Sequence, residues 1–235
     1  MMKLIKNIIL SAVLFGSLFS ASASAATEVD KSDPYKMIEE VSVITFKRFA
    51  DEEAEIKKNP EILKDIVREE LMPYIFYQYA AAKVLGVHLK GTKQKPTSRE
   101  DVQAFMLAFR EYLITSYAQV FTLYEQQEVI FEPPRKIDAK QKIVVVGVNI
   151  IDDDRPPISI QFKVRKNAKI KGWQAYDLVA EGISLLDAKQ KELRSILAEK
   201  GVANVTEMLK EKSQRKIVFK DGPTDIDKKL KEQED

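Results

Sequence analysis

Between Ile143 and Arg165 the chain changes its hydrophobic period, and that change limits its possible folds more than any other feature. Ile143-Val144-Val145-Val146-Gly147-Val148-Asn149-Ile150-Ile151 is a short β-branched run bounded by turn residues, the pattern of a largely buried strand. Ile158, Ile160, Phe162 and Val164 then alternate strictly with Ser159, Gln161, Lys163 and Arg165, which predicts a strand with one dry face and one wet face. Asp152 to Pro157 is read as a hairpin-like loop between them. Asn167 to Gly172 is the next turn, and it leads into a third strand in the block Gly172–Ser184, which holds the only Trp, Trp173. Residues 128–132 are read as a fourth strand, at the edge.

The half of the chain before these strands is spaced for helices. Asp33 is placed to cap a helix with Pro34 at its first position, and Met37, Val41, Ile44 and Phe49 follow near helical spacing. A second start lies at Asn59-Pro60, with Ile62, Leu63, Ile66 and Val67 after it; Pro73 should break or kink the chain. Ile75, Tyr79, Ala82 and Leu85 make a further stripe that ends at Gly86. After the polar loop Gly91–Ser98, Ser98 is placed to cap a long helix to about Glu125, with Val102, Phe105, Phe109, Leu113, Ser116, Val120 and Leu123 on one face. Helix returns from about Leu186 to Lys212, broken at Gly201. Helices followed by consecutive antiparallel strands predict an α+β fold: a curved antiparallel sheet of about four strands covered by several helices.

Residues 1–25 read as a cleaved export signal. Lys3 and Lys6 form a basic start, Ile8 to Phe19 is apolar, and Ala21 to Ala26 offers cleavage after Ala23 or Ala25. The apolar run is shorter than the ~20 residues that span a bilayer. A single domain is expected over residues 26–220, with a charged tail at 221–235. Of 38 Lys and Arg, two fall in the signal, leaving 36 against 36 Asp and Glu, a balance that argues against a nucleic-acid partner. The chain has no Cys, which excludes disulfides, thiolate metal sites and thiol catalysis.

Little of the sequence is arranged for chemistry. His88, the only histidine, follows a helix-ending glycine, and a triad or multi-histidine metal site would rest on it alone. Asp152-Asp153-Asp154 lacks the alternating ligands, central Gly and distal Glu of a calcium loop and reads as a solvated hairpin. Asp177 on an otherwise apolar strand, with Glu181 after it, fits either a structural carboxylate or the general base of a ketosteroid-isomerase-like pocket. Tyr74, Phe76, Tyr77, Tyr79, Phe105, Phe109, Tyr112, Tyr117, Phe121 and Tyr124 crowd two helices, as an ordinary core would, and also suit a cavity wall with one polar end. Lys83, Lys90, Lys93, Lys95, Arg99 and Arg110 read as solvated surface, with lipid headgroups or an acidic partner as the alternative.

Five blocks stand in one order along the chain. They are Asp33-Pro34-Tyr35-Lys36-Met37 with Thr45-Phe46; Glu70-Leu71-Met72-Pro73-Tyr74 with Tyr79-Ala80 and Val84-Leu85-Gly86; Phe109-Arg110-Glu111-Tyr112-Leu113 with Tyr117; Arg155-Pro156-Pro157 with Arg165-Lys166-Asn167; and the Trp173 block. In this order they resemble the MlaC family, periplasmic phospholipid carriers of the Mla pathway that maintains outer-membrane lipid asymmetry. The resemblance implies an NTF2-like or cystatin-like architecture with an apolar cavity between sheet and helices. It implies a non-enzymatic periplasmic carrier, without cofactor, whose transported ligand is a phospholipid with buried acyl chains and an exposed headgroup. Its implied partners are an inner-membrane ABC transporter complex with an MCE-domain component and an outer-membrane lipoprotein–porin complex, and a monomer is expected.

Periodicity then nominates the lining. Val144, Val146, Val148, Ile160, Phe162 and Val164 are expected on the inward strand face, with Leu71, Ile75, Tyr79, Phe105, Phe109 and Leu113 opposite them on helices. A one-residue error in strand face would invert the strand set. Two other classes stay open: an enzyme centred on Asp177, and an interaction adaptor with a filled core and no cavity.

Overall fold

Five antiparallel strands in sequence order form one curled, open sheet in the computed structural model, which describes residues 29–91, 96–124, 127–152 and 155–219. They are β1 (Glu128–Phe131), β2 (Ile143–Asp152), β3 (Arg155–Asn167), β4 (Gly172–Ala180) and β5 (Ile183–Ser184). The expected signal at 1–25, the tail at 221–235, Lys93, Lys95, Asp153, Asp154 and the helix end at Glu125 lie outside the described residues. The fold class is α+β as expected, with a fifth strand beyond the four read from the pattern. That strand, Ile183–Ser184, pairs with Val179 and Ala180 and is too short to carry any periodicity.

The hairpin between β2 and β3 is tighter than expected. Pro156 and Pro157 lie inside β3 and not in a loop, because Ile150 pairs with Ile158 and Asp152 with Arg155, leaving β3 one residue longer than β2 between those pairs. A bulge is where prolines, which have no N–H to donate, fit a sheet. A second bulge lies in β4: Lys163 faces Asp177 and Val164 faces Ala175, so Tyr176 is the extra residue. This breaks the alternation of β4 and explains why Ala175, Tyr176 and Asp177 are all buried.

The helices start where their caps predict. Asp33 accepts hydrogen bonds from the Tyr35 and Lys36 amides at 2.8 and 3.1 Å and opens α1 (Pro34–Asp51). Ser98 and Asp101 form a reciprocal capping box on α5 (Arg99–Phe121), which ends short of the expected Glu125. Ser184 caps α6 (Leu185–Ser213), and Gly201, with φ of +79°, breaks that helix where expected. Three shorter helices, α2 (Glu53–Lys58), α3 (Ile62–Ile66) and α4 (Tyr77–Leu85), lie between α1 and α5.

The break expected at Pro73 begins earlier. From Val67 to Leu71 the chain widens into a π-turn, and Met72–Tyr74 then tightens into a single 3-10 turn. Arg48 on α1 clamps the widened turn: its guanidinium donates to Glu69 at 2.6 Å, to Glu70 at 2.8 Å and to Glu52 at 2.7 Å. Burial opposes its charge, but these three carboxylates outweigh it and raise its pKa further.

The free edge of β4 is closed by two non-strand segments. The Phe76 amide donates to the Ala175 carbonyl, and the Trp173 amide to the Lys31 carbonyl, both at 2.7 Å. Gly172 makes the second approach possible, since a Cβ there would stand 2.7 Å from Lys31 Cβ and 3.1 Å from its carbonyl oxygen. Gly172→Ala is expected to destabilise the protein by about 1–3 kcal/mol, as forced overpacking does. The readout is a lower urea midpoint at unchanged slope. Gly147→Ala, whose new methyl first meets the movable carboxylate end of the Glu132 side chain, should shift the midpoint less.

Candidate functional site

The pairing of β2 with β3 sets Val144 opposite Val164, Val146 opposite Phe162 and Val148 opposite Ile160, which puts all six expected strand residues on one face. Phe131 of β1 faces Val148 and extends that face. Val144, Val146, Val148 and Val164 are buried; Ile160, Phe162 and Phe131 are half-buried. α1 covers the buried end: Met37, Ile38 and Val41 pack in one cluster with Val144, Val146, Val164, Trp173 and Ala175. Leu71 and Phe162 border that cluster.

Of the six helical candidates, only Leu71 packs against the cluster that holds the strand residues. Phe105 and Phe109 are fully buried between α4, α5 and α6, with their rings stacked 6.0 Å apart, and Tyr79 and Leu113 pack against the same cluster. Ile75 belongs to a third cluster with Phe49, Ile66 and Tyr117. Leu71 touches both the sheet cluster and this third one. Periodicity identifies the apolar stripe of each helix; it does not say which neighbour the stripe meets.

Two cavities open beside these clusters. One, of about 520 Å³, lies at the β4 edge, lined by the Met72–Tyr79 segment on one side and by Asn167, Lys169, Ile170 and Gln174 on the other. Its two walls are tied where Gln174 Nε2 donates to the Pro73 carbonyl at 3.0 Å. Ile75 and Tyr79 were expected at such a site. Asn167, Ile170 and Gln174 were not, since a polar turn carries no apolar period to find them by. The other cavity, of about 500 Å³, lies between α1, α2, α3 and the end of α5, lined by Phe49, Ile56, Leu63, Phe121, Tyr124 and Phe219 among others.

The buried carboxylate of β4 and the Glu192 carboxylate of α6 are occupied by structure. Asp177, with its side chain 2% exposed, accepts from Lys163 Nζ at 2.9 Å, Ser184 Oγ at 2.7 Å and the Leu186 amide at 3.1 Å. It therefore ties β3, β5 and the start of α6 together, the structural alternative of the two read from sequence. Burial opposes the charge of Lys163, but the hydrogen bond to Asp177 outweighs it and the lysine pKa is raised. Burial, then the neighbouring Asp177 and Tyr112, raise the Tyr117 phenol as well. Glu192 on α6 is bonded by Lys189 and, at 3.2 Å, by Lys212, and Lys189 also sits 4.9 Å over the Tyr112 ring. Among the described residues no cluster of acidic, His or Cys side chains has the geometry to hold a metal ion. The site offers apolar surface and hydrogen-bonded walls.

Comparison with known proteins places this geometry. Residues 39–211 match the family model described as MlaC protein. The intermembrane phospholipid transport system binding protein MlaC of Haemophilus influenzae is 31% identical over 194 residues, covering 82% of this chain and 88% of the relative. A solved phospholipid-binding protein from Ralstonia solanacearum, in complex with a phospholipid, has a similar fold, with a TM-score of 0.65 at 18% identity over 77% of this chain and 97% of that one.

The Asp177 network makes stability pH-dependent. Lys163 titrates higher in the folded state, so its contribution is complete below the unfolded value near ~10.4 and is lost as pH rises through the folded value. Tyr117 acts in the same direction: above about pH 10 the unfolded phenol ionises while the folded one still holds its proton. Urea unfolding at stepped pH should show stability falling from about pH 10 upward, with a shallower fall for Tyr117→Phe. Asp177→Ala should cost about 1–3 kcal/mol at neutral pH, because it leaves the Leu186 amide and the Ser184 hydroxyl without their buried acceptor.

Proposed function

The chain belongs to the MlaC family, and on that footing we propose that it carries a phospholipid, holding the acyl chains against apolar protein surface while the headgroup stays in water. The observation that supports this most is the sheet face beyond α1, where Phe131, Ile160 and Phe162 continue the apolar rows yet remain half-buried. A side chain with free apolar surface can still cover a ligand; a packed one cannot. Of the candidates, Ile160, Phe162, Leu71, Ile75, Tyr79 and Leu113 keep such surface and are assigned to the lipid. Val144, Val146, Val148, Val164, Phe105 and Phe109 are assigned to the walls behind them.

The energetics favour a carrier over free diffusion. Each methylene left in water costs ~0.8 kcal/mol, so a two-chain lipid does not cross an aqueous gap bare. Transfer between a bilayer and an apolar cavity is close to balanced, and partners can then decide its direction. The cavities of about 520 and 500 Å³ are each smaller than the roughly 1,000 Å³ at the top of the usual ligand range. Loading therefore requires helices to move away from the sheet, and the π-turn and 3-10 turn at Val67–Tyr74 are the irregular segment at which that can happen.

In this reading the protein works in the periplasm after cleavage following Ala23 or Ala25, as a monomer and without catalysis. It takes and delivers lipid between an outer-membrane lipoprotein–porin complex and an inner-membrane ABC transporter complex with an MCE-domain component. Purified protein extracted with organic solvent should yield phospholipid by mass spectrometry. An empty extract together with no uptake from phospholipid vesicles would overturn the proposal. Phe162→Asp should cut vesicle-to-protein transfer by an order of magnitude or more, the scale of ~1.4 kcal/mol lost per tenfold. Phe105→Ala should instead cost about 3–5 kcal/mol of stability and leave transfer per folded molecule nearly intact.

A further inference from the structure

The family match ends at residue 211, yet the chain that follows is docked and not stray. After α6, residues 214–219 run without regular structure across α3 and α5. Thr115 Oγ1 donates to the Ser213 carbonyl at 2.6 Å, and Lys64 Nζ to the Arg215 carbonyl at 2.7 Å. The Ile217 amide donates to Glu61 at 2.6 Å. Gln119 grips Val218 from both sides, its Nε2 donating to the Val218 carbonyl at 2.7 Å and its Oε1 accepting from the Val218 amide at 3.3 Å. Ile217 is 4% exposed and packs with Phe49, Leu63, Ile66 and Ile114, while Val218 and Phe219 are each 48% exposed.

Phe219 reaches the wall of the cavity of about 500 Å³ between α1, α2, α3 and α5. The rest of that wall is Phe49, Ala50, Ile56, Leu63, Phe121 and Tyr124, with Glu53, Lys57 and Thr122 completing it. We infer that residues 215–219 form a strap over a second apolar chamber, which takes a single hydrocarbon chain of a lipid or fatty acid when the strap lifts. The volume suits one chain, being about half of what the upper ligand range provides. The strap itself is built to detach. One apolar side chain is fully buried, two stay half in water, and every hydrogen bond described for it reaches a side chain on a neighbouring helix or the preceding turn. Around the Ile217 contact, burial opposes the charge of Glu61, but hydrogen bonds from Lys64 and the Ile217 amide hold its carboxyl below the ordinary range.

The inference rests on the carrier reading only for the class of ligand. Its test uses the full chain and cis-parinaric acid, a fluorescent single-chain fatty acid that needs neither headgroup recognition nor a membrane partner. The protein has no cysteine of its own, so Gln119→Cys with Val218→Cys gives one defined cross-link. Oxidation should lock the strap and slow parinaric acid uptake at least tenfold relative to the same protein reduced, and Ile217→Ser should speed uptake by up to about tenfold. The size of the acceleration follows if the open form is populated at about a tenth in the wild type. Equal rates in the oxidised and reduced forms would overturn the strap, and so would failure of the two cysteines to cross-link. An empty phospholipid extract from the wild-type protein would instead count against the carrier reading, whatever the strap does.

Discussion

The register between β2 and β3 is the constraint on which the other features depend. It sets Val144 against Val164, Val146 against Phe162 and Val148 against Ile160, so that one face of the sheet is a continuous apolar surface. Slipping the pairing by one residue would turn Lys163, Gln161 and Ser159 onto that face and leave α1 nothing to bury against. With the register in place, Met37, Ile38 and Val41 cover one end, and the far end stays half open. A binding surface arises here because covering stops partway along a face whose chemistry does not change.

The ionic groups serve this arrangement from outside the apolar surface. Asp177 gathers β3, β5 and α6 around one buried carboxylate, and Arg48 gathers α1 and the π-turn around one guanidinium. Both sit at places where the backbone leaves regular geometry, beside the Tyr176 bulge in one case and at the widened turn in the other. Each holds its neighbours through several directed hydrogen bonds to one side chain, so these contacts specify position. Leu71 lies at the end of the turn that Arg48 holds and touches two of the three apolar clusters, so the clamp bears directly on the candidate site.

Much of the fold was legible because it rests on local chemistry. Asp33, Ser98, Gly86 and Gly201 mark helix ends, and each acts through its own side chain or its own φ. The strict alternation from Ile158 to Arg165 carried the strand face correctly. The two-residue β5 had no pattern to show. Pro156 and Pro157 looked like loop residues because proline is barred from ordinary strand positions; only a bulge admits them. The π-turn before Pro73 depends on Arg48, some twenty residues earlier and across a helix pair, and nothing in the local sequence announces it.

By itself, then, the sequence determined the elements, their apolar faces and the block order that marks the family, because each follows from short-range sterics, hydrogen bonding or periodicity. Tertiary structure alone decided which faces meet. Phe105 and Phe109 turn to α4, α6 and Tyr176 of β4, not to the β2–β3 face, and Ile75 goes to the α1–α5 cluster. The reason is physical: an apolar stripe is favoured in any dry surroundings, because hydrophobic burial has no direction. Partners are chosen by shape, by the bulge at Tyr176 and by the few directed contacts of Asp177 and Arg48, all of which join residues far apart in the chain.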